Sequence, residues 1–258
     1  MSKKEKKGAV KFDISLVGEQ KEAKELMMSD LNVCTVLEGS AGTGKTTLAI
    51  NVALSLLFNG RVNKIYVTRP PETLKQFKHE SLPGDAGEKN ALFMQPFFEA
   101  IKSNYSSHHS KKVRVEKAFE KGEIELVPMG YIKGRNLGTK AEPAVIIVDE
   151  SQSCDGHTMH AILTRVGDGS KIILTYDAIQ SDQRQNPVGD RLKKLGENIA
   201  GVDWITLEEN HRSPFVQAVN KVWLELNNNF KSKKTITTLP REKKLNWTQR
   251  VIKAAFNV

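Results

Sequence analysis

A glycine-rich segment between two apolar runs constrains this chain more than any other feature. Residues 39–46 fit the pattern G-x-x-x-x-G-K-[ST], which is typical of phosphate-binding loops. Leu31–Leu37, before the loop, is apolar enough for a central strand. Leu48–Phe58, after it, predicts a helix that ends near Asn59-Gly60. A strand, a loop and a helix in this order predict an α/β fold.

The chemistry of phosphate binding explains the spacing within this loop. Small residues let the backbone wrap around a phosphate, with several N–H groups pointing inward. Lys45 adds a positive charge near the β- and γ-phosphates of a nucleoside triphosphate, and Thr46 offers a hydroxyl to Mg²⁺. The helix that follows directs its positive dipole end at the same anion. The predicted nucleotide-binding residues of the loop are Gly39, Ser40, Ala41, Gly42, Thr43, Gly44, Lys45, Thr46 and Thr47.

Two acidic residues end a second buried strand. Ala144–Val148 is a continuous apolar run, and Asp149 and Glu150 follow it directly. This pattern predicts a parallel strand with carboxylates at its C-terminal end. Asp149 is predicted to hold the Mg²⁺ shell, and Glu150 to polarise an attacking water as general base. A strand that runs out into solvent is the alternative, and the phosphate-binding loop disfavours it.

Three further polar residues lie beside predicted core strands. Gln20 precedes the first strand on the helix Glu19–Met28, and it either reads adenine or is a surface residue of an amphipathic helix. Arg69 ends the strand Lys64–Thr68, and it either reaches phosphate or nucleic acid or remains solvated. Gln180 follows the predicted buried strand Lys171–Thr175, where a glutamine can sense a γ-phosphate, and position alone does not decide this role.

An arginine follows the last predicted core strand, Asp203–Leu207. Arg212 stands just before a Ser-Pro helix start, and the helix is predicted over Phe215–Leu226. This arginine either neutralises charge on a transferring phosphoryl group or merely flanks the helix. His157 and His160 are three residues apart, but an exposed helix face explains them better than a metal site.

The charge of the chain favours a polyanionic partner. The formal net charge of the 258 residues is +9, with an isoelectric point near 9.4. Lysines cluster in residues 1–12, and basic residues outnumber acidic ones from Lys231 to Lys253. Lys133 and Arg135 lie in a polar, basic loop that could also contact nucleic acid.

The cysteine and apolar patterns indicate where such a chain works. Cys34 and Cys154 are the two cysteines, so a structural disulfide is not expected, and a reducing cytoplasm fits. No apolar run is long enough to span a bilayer, and the charged N-terminus lacks the apolar region of a signal peptide. A cytoplasmic protein without membrane association is therefore expected.

A set of motifs spread over roughly residues 15–225 carries a family resemblance. These motifs are Gly39–Thr47, Thr68-Arg69-Pro70, Leu82–Asp85, Glu88-Lys89, Gly134-Arg135, Val148–Gln152, Leu163–Gly167, Gly169–Lys171, and Asp177 with Gln180 and Asp182. The combination resembles the PhoH family of P-loop ATPases, which is related to the first core domain of superfamily 1 helicases. The short length and lysine-rich ends look most like PhoH-like proteins of tailed phages.

Two segments depart from the family pattern. The family usually has Gly-Asp where this chain has Tyr176-Asp177, which puts the geometry before Gln180 in doubt. Its Arg-His-Pro appears here as His211-Arg212-Ser213-Pro214, which looks more like the arginine motif of superfamily 1 helicases. The resemblance therefore leaves both interpretations of Arg212 open.

The resemblance implies a fold and an activity. The fold is a single RecA-like P-loop domain over residues 13–226, with a mostly parallel central sheet flanked by helices. A basic arm over residues 1–12 and a basic extension over residues 227–258 complete the expected organisation. The implied activity is Mg²⁺-dependent hydrolysis of ATP, coupled to RNA or single-stranded nucleic acid and extending to helicase activity, in ring-like homo-oligomers such as hexamers.

Two other classes of function stay open. The first is a nucleotide-binding regulatory switch that hydrolyses slowly and acts through protein partners. The second is a P-loop kinase for a small molecule. Glu150 and Gln180 favour hydrolysis over the switch, and the basic ends weigh against the kinase.

Overall fold

The computed structural model describes residues 15–70, 95, 97–102, 104, 109–132, 134–181, 188–209 and 214–232. These residues form an α/β structure, as predicted. None of the helices in these ranges has the length and apolarity needed to cross a membrane. The chain divides into two compact units, Met1–Gln217 and Ala218–Val258. The sheet and the predicted site belong to the first unit.

The centre of the first unit is a sheet of six strands in the order β3-β2-β4-β5-β1-β6. All the pairings between these strands are parallel, so their C-terminal ends meet at one edge. In this order β5 lies between β1, which precedes the glycine-rich loop, and β4, which precedes Asp149 and Glu150. The strands are β1 (Cys34–Gly39), β2 (Lys64–Thr68), β3 (Ile124–Leu126), β4 (Ala144–Val148), β5 (Lys171–Tyr176) and β6 (Val202–Leu207).

Helices connect these strands, which is what a parallel sheet requires of its crossovers. Residues 97–102 are also helical, and Ser151–Ser153 form a single 3₁₀ turn directly after the two acids. The remaining helices are α1 (Glu19–Met28), α2 (Lys45–Phe58), α3 (His109–Glu120), α4 (Met129–Ile132), α5 (Gly156–Leu163), α6 (Val188–Asn198) and α7 (Pro214–Ser232).

The sheet is buried on both faces, which explains why its strands are nearly continuous apolar runs. Alternate residues of β1, β2, β4, β5 and β6 enter two separate cores. One core joins the sheet to α1, α2 and α3 through residues such as Leu37, Ile65, Val67, Ile147 and Ile173. The other joins it to α5 and α6 through residues such as Val36, Ile146, Val148, Leu174 and Leu192.

The start of the first strand and the end of the last helix are among the element boundaries that differ from the predictions. The first strand begins at Cys34 and not at Leu31, because Leu31 is 87% exposed and the Asn32 side chain bonds the Thr35 hydroxyl at 2.7 Å. The last helix continues past Leu226 to Ser232. Asparagine has only a weakly unfavourable helix propensity, so the three asparagines that follow Leu226 do not end it. The predicted division of the chain at residue 226 remains a prediction.

Candidate functional site

The loop after β1 has the backbone geometry that wraps a phosphate. Gly42 and Gly44 have φ values of 99° and 79°, in the left-handed region that favours glycine. A Cβ on Gly39 would lie 2.8 Å from the carbonyl oxygen of Leu207, so only glycine fits there. Helix α2 begins at Lys45, earlier than predicted, so its first N–H groups face the cleft above the loop.

Lys45 lies across the mouth of this loop. Its Nζ donates to the carbonyl oxygens of Gly39 and Ser40 at 2.8 and 2.9 Å. The ammonium group is therefore held among the atoms that would surround a phosphate. This arrangement agrees with the predicted role of Lys45 beside the β- and γ-phosphates.

The predicted metal ligands, Thr46 and Asp149, lie in contact. The Thr46 hydroxyl donates to Asp149 Oδ1 at 2.7 Å, and the Thr175 hydroxyl donates to the same oxygen at 2.7 Å. A hydroxyl oxygen and a carboxylate oxygen are hard donors of the kind that Mg²⁺ binds, usually together with waters and phosphate oxygens. The donor set therefore fits Mg²⁺, and Asp149 and Thr46 would hold it.

Glu150 lies beside Asp149 in an unusual backbone conformation. Its φ and ψ are 53° and 41°, which is left-handed and uncommon for a residue other than glycine. Its N–H donates to the Thr175 hydroxyl at 3.0 Å. Burial raises the pKa of the Glu150 carboxyl above its ordinary value, and the charge of Asp149 raises that pKa further. The Gln152 amide and the cations of Arg69 and Lys45 act in the opposite direction.

A cleft of about 380 Å³ joins these groups at the C-terminal edge of the sheet. Gln180 is exposed at its wall, and its predicted sensing of a γ-phosphate stays a prediction. The Asp177 carboxylate shapes the turn before Gln180 by accepting the N–H of Ile179 at 2.9 Å. The residues that line the cleft are Ala41, Gly42, Gly44, Lys45, Thr46, Thr47, Glu150, Asp177 and Gln180.

Gln20 contacts the loop itself. Its side chain is 7% exposed, and its Nε2 donates to the carbonyl oxygen of Thr43 at 3.0 Å. Its Oε1 accepts the N–H of Val17 at 3.4 Å. Gln20 is thus buried against the nucleotide loop and is not a surface residue, while its reading of adenine stays a prediction.

Arg69 is buried and not solvated, with 9% of its surface exposed. It lines a second cavity of about 490 Å³ together with Glu99, Thr46, Asp149 and Glu150. The strand end therefore points the arginine toward the two acids. Its predicted contact with nucleic acid remains a prediction.

Arg135 is engaged at the edge of the sheet. Its guanidinium pairs with the Glu125 carboxylate at 2.5 Å, and Lys64 pairs with the same carboxylate. Contact with nucleic acid would have to compete with this pairing. Several predicted positions lie outside the described residues, namely Lys133, Arg212, Leu82–Asp85, Glu88-Lys89 and Asp182.

Sequence reasoning assigned no role to two buried residues of the site. Thr175 links Asp149 to the backbone of Glu150, and Gln152 bonds the Glu150 carboxylate. Gln152 is part of the motif Val148–Gln152, and Thr175 is the last residue of a predicted strand. The sequence therefore indicated that both positions matter, but not which residues they bond. The partners become visible only once β4 and β5 are known to be neighbours.

Comparison of the sequence with known proteins relates this chain to one family. The family of PhoH-like proteins matches residues 15–223. A PhoH-like protein of Bacillus subtilis is 35% identical over 179 residues, which are 69% of this chain and 53% of that protein. Protein PhoH2 of Mycolicibacterium smegmatis is 29% identical over 212 residues, 81% of this chain and 46% of that protein. The chain thus spans about half the length of these relatives.

Solved structures show a more distant likeness. A Pif1 helicase from Bacteroides, in complex with ADP-AlF3 and ssDNA, aligns with a TM-score of 0.42 and 15% identity, over 89% of this chain and 53% of that one. The Pif1 helicase of Candida albicans aligns with a TM-score of 0.40 and 18% identity, over 89% of this chain and 50% of that one.

Proposed function

Because this chain belongs to the family of PhoH-like proteins, we propose that it hydrolyses ATP in a Mg²⁺-dependent reaction coupled to RNA or single-stranded nucleic acid. The observation that carries the proposal is the 2.7 Å contact between the Thr46 hydroxyl and Asp149 Oδ1, made across two different elements of the cleft. It brings the two expected metal ligands to one point beside Lys45 and Glu150.

The predicted site residues have separate roles in this reaction. The loop N–H groups and Lys45 bind the β- and γ-phosphates, and Asp149 and Thr46 hold the metal. A bound Mg²⁺ supplies charge neutralisation at the phosphate oxygens. Glu150 orients the attacking water and accepts its proton, a task for which a raised pKa is suited. Gln180 contacts the γ-phosphate from the wall of the cleft, and Arg212 adds positive charge in the transition state.

The net charge of +9 supports the nucleic-acid partner. Strand separation, a ring-shaped homo-oligomer and a cytoplasmic location belong to the same proposal. Cys34 and Cys154 are both buried and are not joined in a disulfide, which suits a reducing compartment.

Phosphate release from ATP, with and without an RNA oligonucleotide, tests the proposal. Lys45→Ala is expected to lower turnover at least 10²-fold, because the phosphates lose the lysine of the loop. Lys117→Ala removes an exposed lysine of α3 and serves as the matched control. Turnover by Lys45→Ala within a few-fold of the control would refute the assignment of the cleft. Slow hydrolysis that RNA does not change would favour the regulatory switch.

A further inference from the structure

A buried amide joins the two strand ends that carry the candidate base and the candidate phosphate sensor. The Gln152 side chain, 2% exposed, donates from Nε2 to Glu150 Oε2. Its Oε1 accepts the backbone N–H of Asp177 at 3.0 Å. Gln152 thus spans from the end of β4 to the end of β5.

Gln152 and its two hydrogen bonds form a bridge, which continues through the side chain of Asp177. This carboxylate, buried at 2% exposure, accepts the N–H of Ile179 at 2.9 Å and that of Gln180 at 3.4 Å. The turn that presents Gln180 to the cleft is therefore built on a residue whose backbone Gln152 holds.

At the other end of the bridge, the backbone of Glu150 has a conformation that its surroundings must stabilise. Glu150 is left-handed, a conformation that persists when its surroundings determine it. The Ser151 hydroxyl fixes the turn by donating to the Thr175 carbonyl oxygen at 2.7 Å, and Thr175 Oγ1 accepts the N–H of Glu150. Among these contacts, the hydrogen bond from Gln152 is the one made to the Glu150 carboxylate itself.

The chemistry of the position calls for an amide. One end of the bridge must donate to a carboxylate, and the other must accept an N–H. A glutamine side chain offers a donor and an acceptor on one rigid group, whereas an ionised glutamate only accepts. Asparagine has the same groups on a chain one methylene shorter.

We propose that Gln152 is a positioning residue that couples the Glu150 carboxylate to the Asp177–Gln180 turn. A γ-phosphate contacting Gln180 then biases the orientation of Glu150 through one continuous set of hydrogen bonds. This inference rests on the proposed hydrolysis of ATP, and it adds to that function a link between sensing and catalysis.

Gln152→Met tests the link with the full-length protein. Methionine has a similar size but cannot form either hydrogen bond. We expect kcat to fall by about 10²-fold, the scale of a misplaced catalytic group, while KM for ATP stays within about 3-fold because the phosphate loop is untouched. Thr35→Val is the matched control, since it removes a buried hydrogen bond, from the Thr35 hydroxyl to Asn32 Oδ1, at a residue of β1 that does not line the cleft. Its kcat is expected to stay within about 3-fold of wild type.

A double-mutant cycle with Gln180→Ala tests the coupling. If Gln152 transmits what Gln180 senses, the double variant is expected to be little slower than the slower single variant. Single effects that multiply would overturn the coupling. A Gln152→Met variant as fast as Thr35→Val would also overturn it.

Hydrogen exchange at the Asp177 amide separates this inference from the proposed function. Exchange there is expected to rise at least 10-fold in Gln152→Met and not in Thr35→Val, because only the first variant removes its acceptor. Unchanged exchange would overturn the bridge, whether or not ATP is hydrolysed. A wild-type protein that binds ATP without releasing phosphate would refute the proposed function, and the exchange result would still decide whether the bridge exists.

Discussion

At the scale of single residues, the site separates binding from chemistry. Asp149 accepts two hydroxyl donors, from Thr46 and Thr175, and faces the phosphate loop. The Glu150 carboxylate bonds neither of these hydroxyls, and it accepts a hydrogen bond from the Gln152 side chain. Adjacent acids therefore have different surroundings, which supports the proposal that one binds the metal and the other activates the water.

Substitution of the two acids is expected to show this difference. Glu150→Gln should lower kcat by about 10²–10⁴-fold while nucleotide affinity stays close to wild type, because the metal ligands are intact. Asp149→Asn should instead weaken Mg²⁺-dependent nucleotide binding. Titration of a fluorescent ATP analogue, with and without Mg²⁺, measures the two affinities. Equal losses of affinity in both variants would contradict the separate roles.

The residues of the site were predictable to the extent that short-range spacing determines them. The pattern over residues 39–46 and the acids after Ala144–Val148 indicated their chemistry without knowledge of neighbours. Thr175 and Gln152 act through hydrogen bonds between β4 and β5, strands separated by more than twenty residues of chain. Sequence periodicity contains no strand order, so these partners could not be predicted.

At the scale of elements, Tyr176, which stands where the family usually has glycine, packs against its neighbours in the fold. Tyr176 is 2% exposed, and its ring meets that of Trp204 at 5.3 Å between centroids. A Cβ on Gly189, in α6, would lie 2.2 Å from the Tyr176 hydroxyl oxygen. Strand β5 and helix α6 thus fit together because a large side chain faces a residue with none.

Gly189→Ala is expected to destabilise the protein by about 1–3 kcal/mol, the usual cost of overpacking a core. Gly196→Ala, in the same helix, is the control, since its Cβ would lie 3.3 Å from the nearest atom. Urea denaturation measures both variants. A Gly189→Ala protein as stable as the control would show that Tyr176 moves aside without cost.

The elements themselves were largely predictable, and their ends were less so. Apolar runs identified the four inner strands, β2, β4, β5 and β1, because a doubly covered sheet needs them. The start of β1 was missed since Leu31 is apolar and yet exposed, which no sequence pattern reveals. The end of α7 was missed because the asparagines after Leu226 are weak helix formers but not helix breakers.

At the scale of the whole molecule, charge and catalysis lie in different parts of the chain. The proposed catalytic residues fall between Lys45 and Arg212, whereas lysines cluster in residues 1–12 and in the last residues of the sequence. The terminal lysines would bind a polyanion by releasing its counterions, without regard to base sequence. Affinity for nucleic acid and basal hydrolysis should therefore be separable.

Replacing Lys3, Lys4, Lys6 and Lys7 with glutamine is expected to weaken RNA binding and reduce its salt dependence. Each lost phosphate contact should lower the slope of log affinity against log salt by about 0.7 for a single strand. Basal ATP hydrolysis should not change. Binding measured from low to physiological salt provides the slope, and an unchanged slope would mean that these lysines stay solvated in the complex.

The left-handed backbone of Glu150 implies a conflict between stability and activity at one position. The conformation favours glycine, and the raised pKa shows that the fold also disfavours the ionised carboxylate. A selection for thermal resistance alone is therefore expected to enrich glycine at residue 150, and the enriched protein should melt higher than wild type and lose turnover. A glycine variant that melts no higher would show that the bond to Gln152 already offsets the strain. If the glycine variant does melt higher, Glu150 lowers the stability of the fold, and only its proposed role in hydrolysis explains why a glutamate stands there.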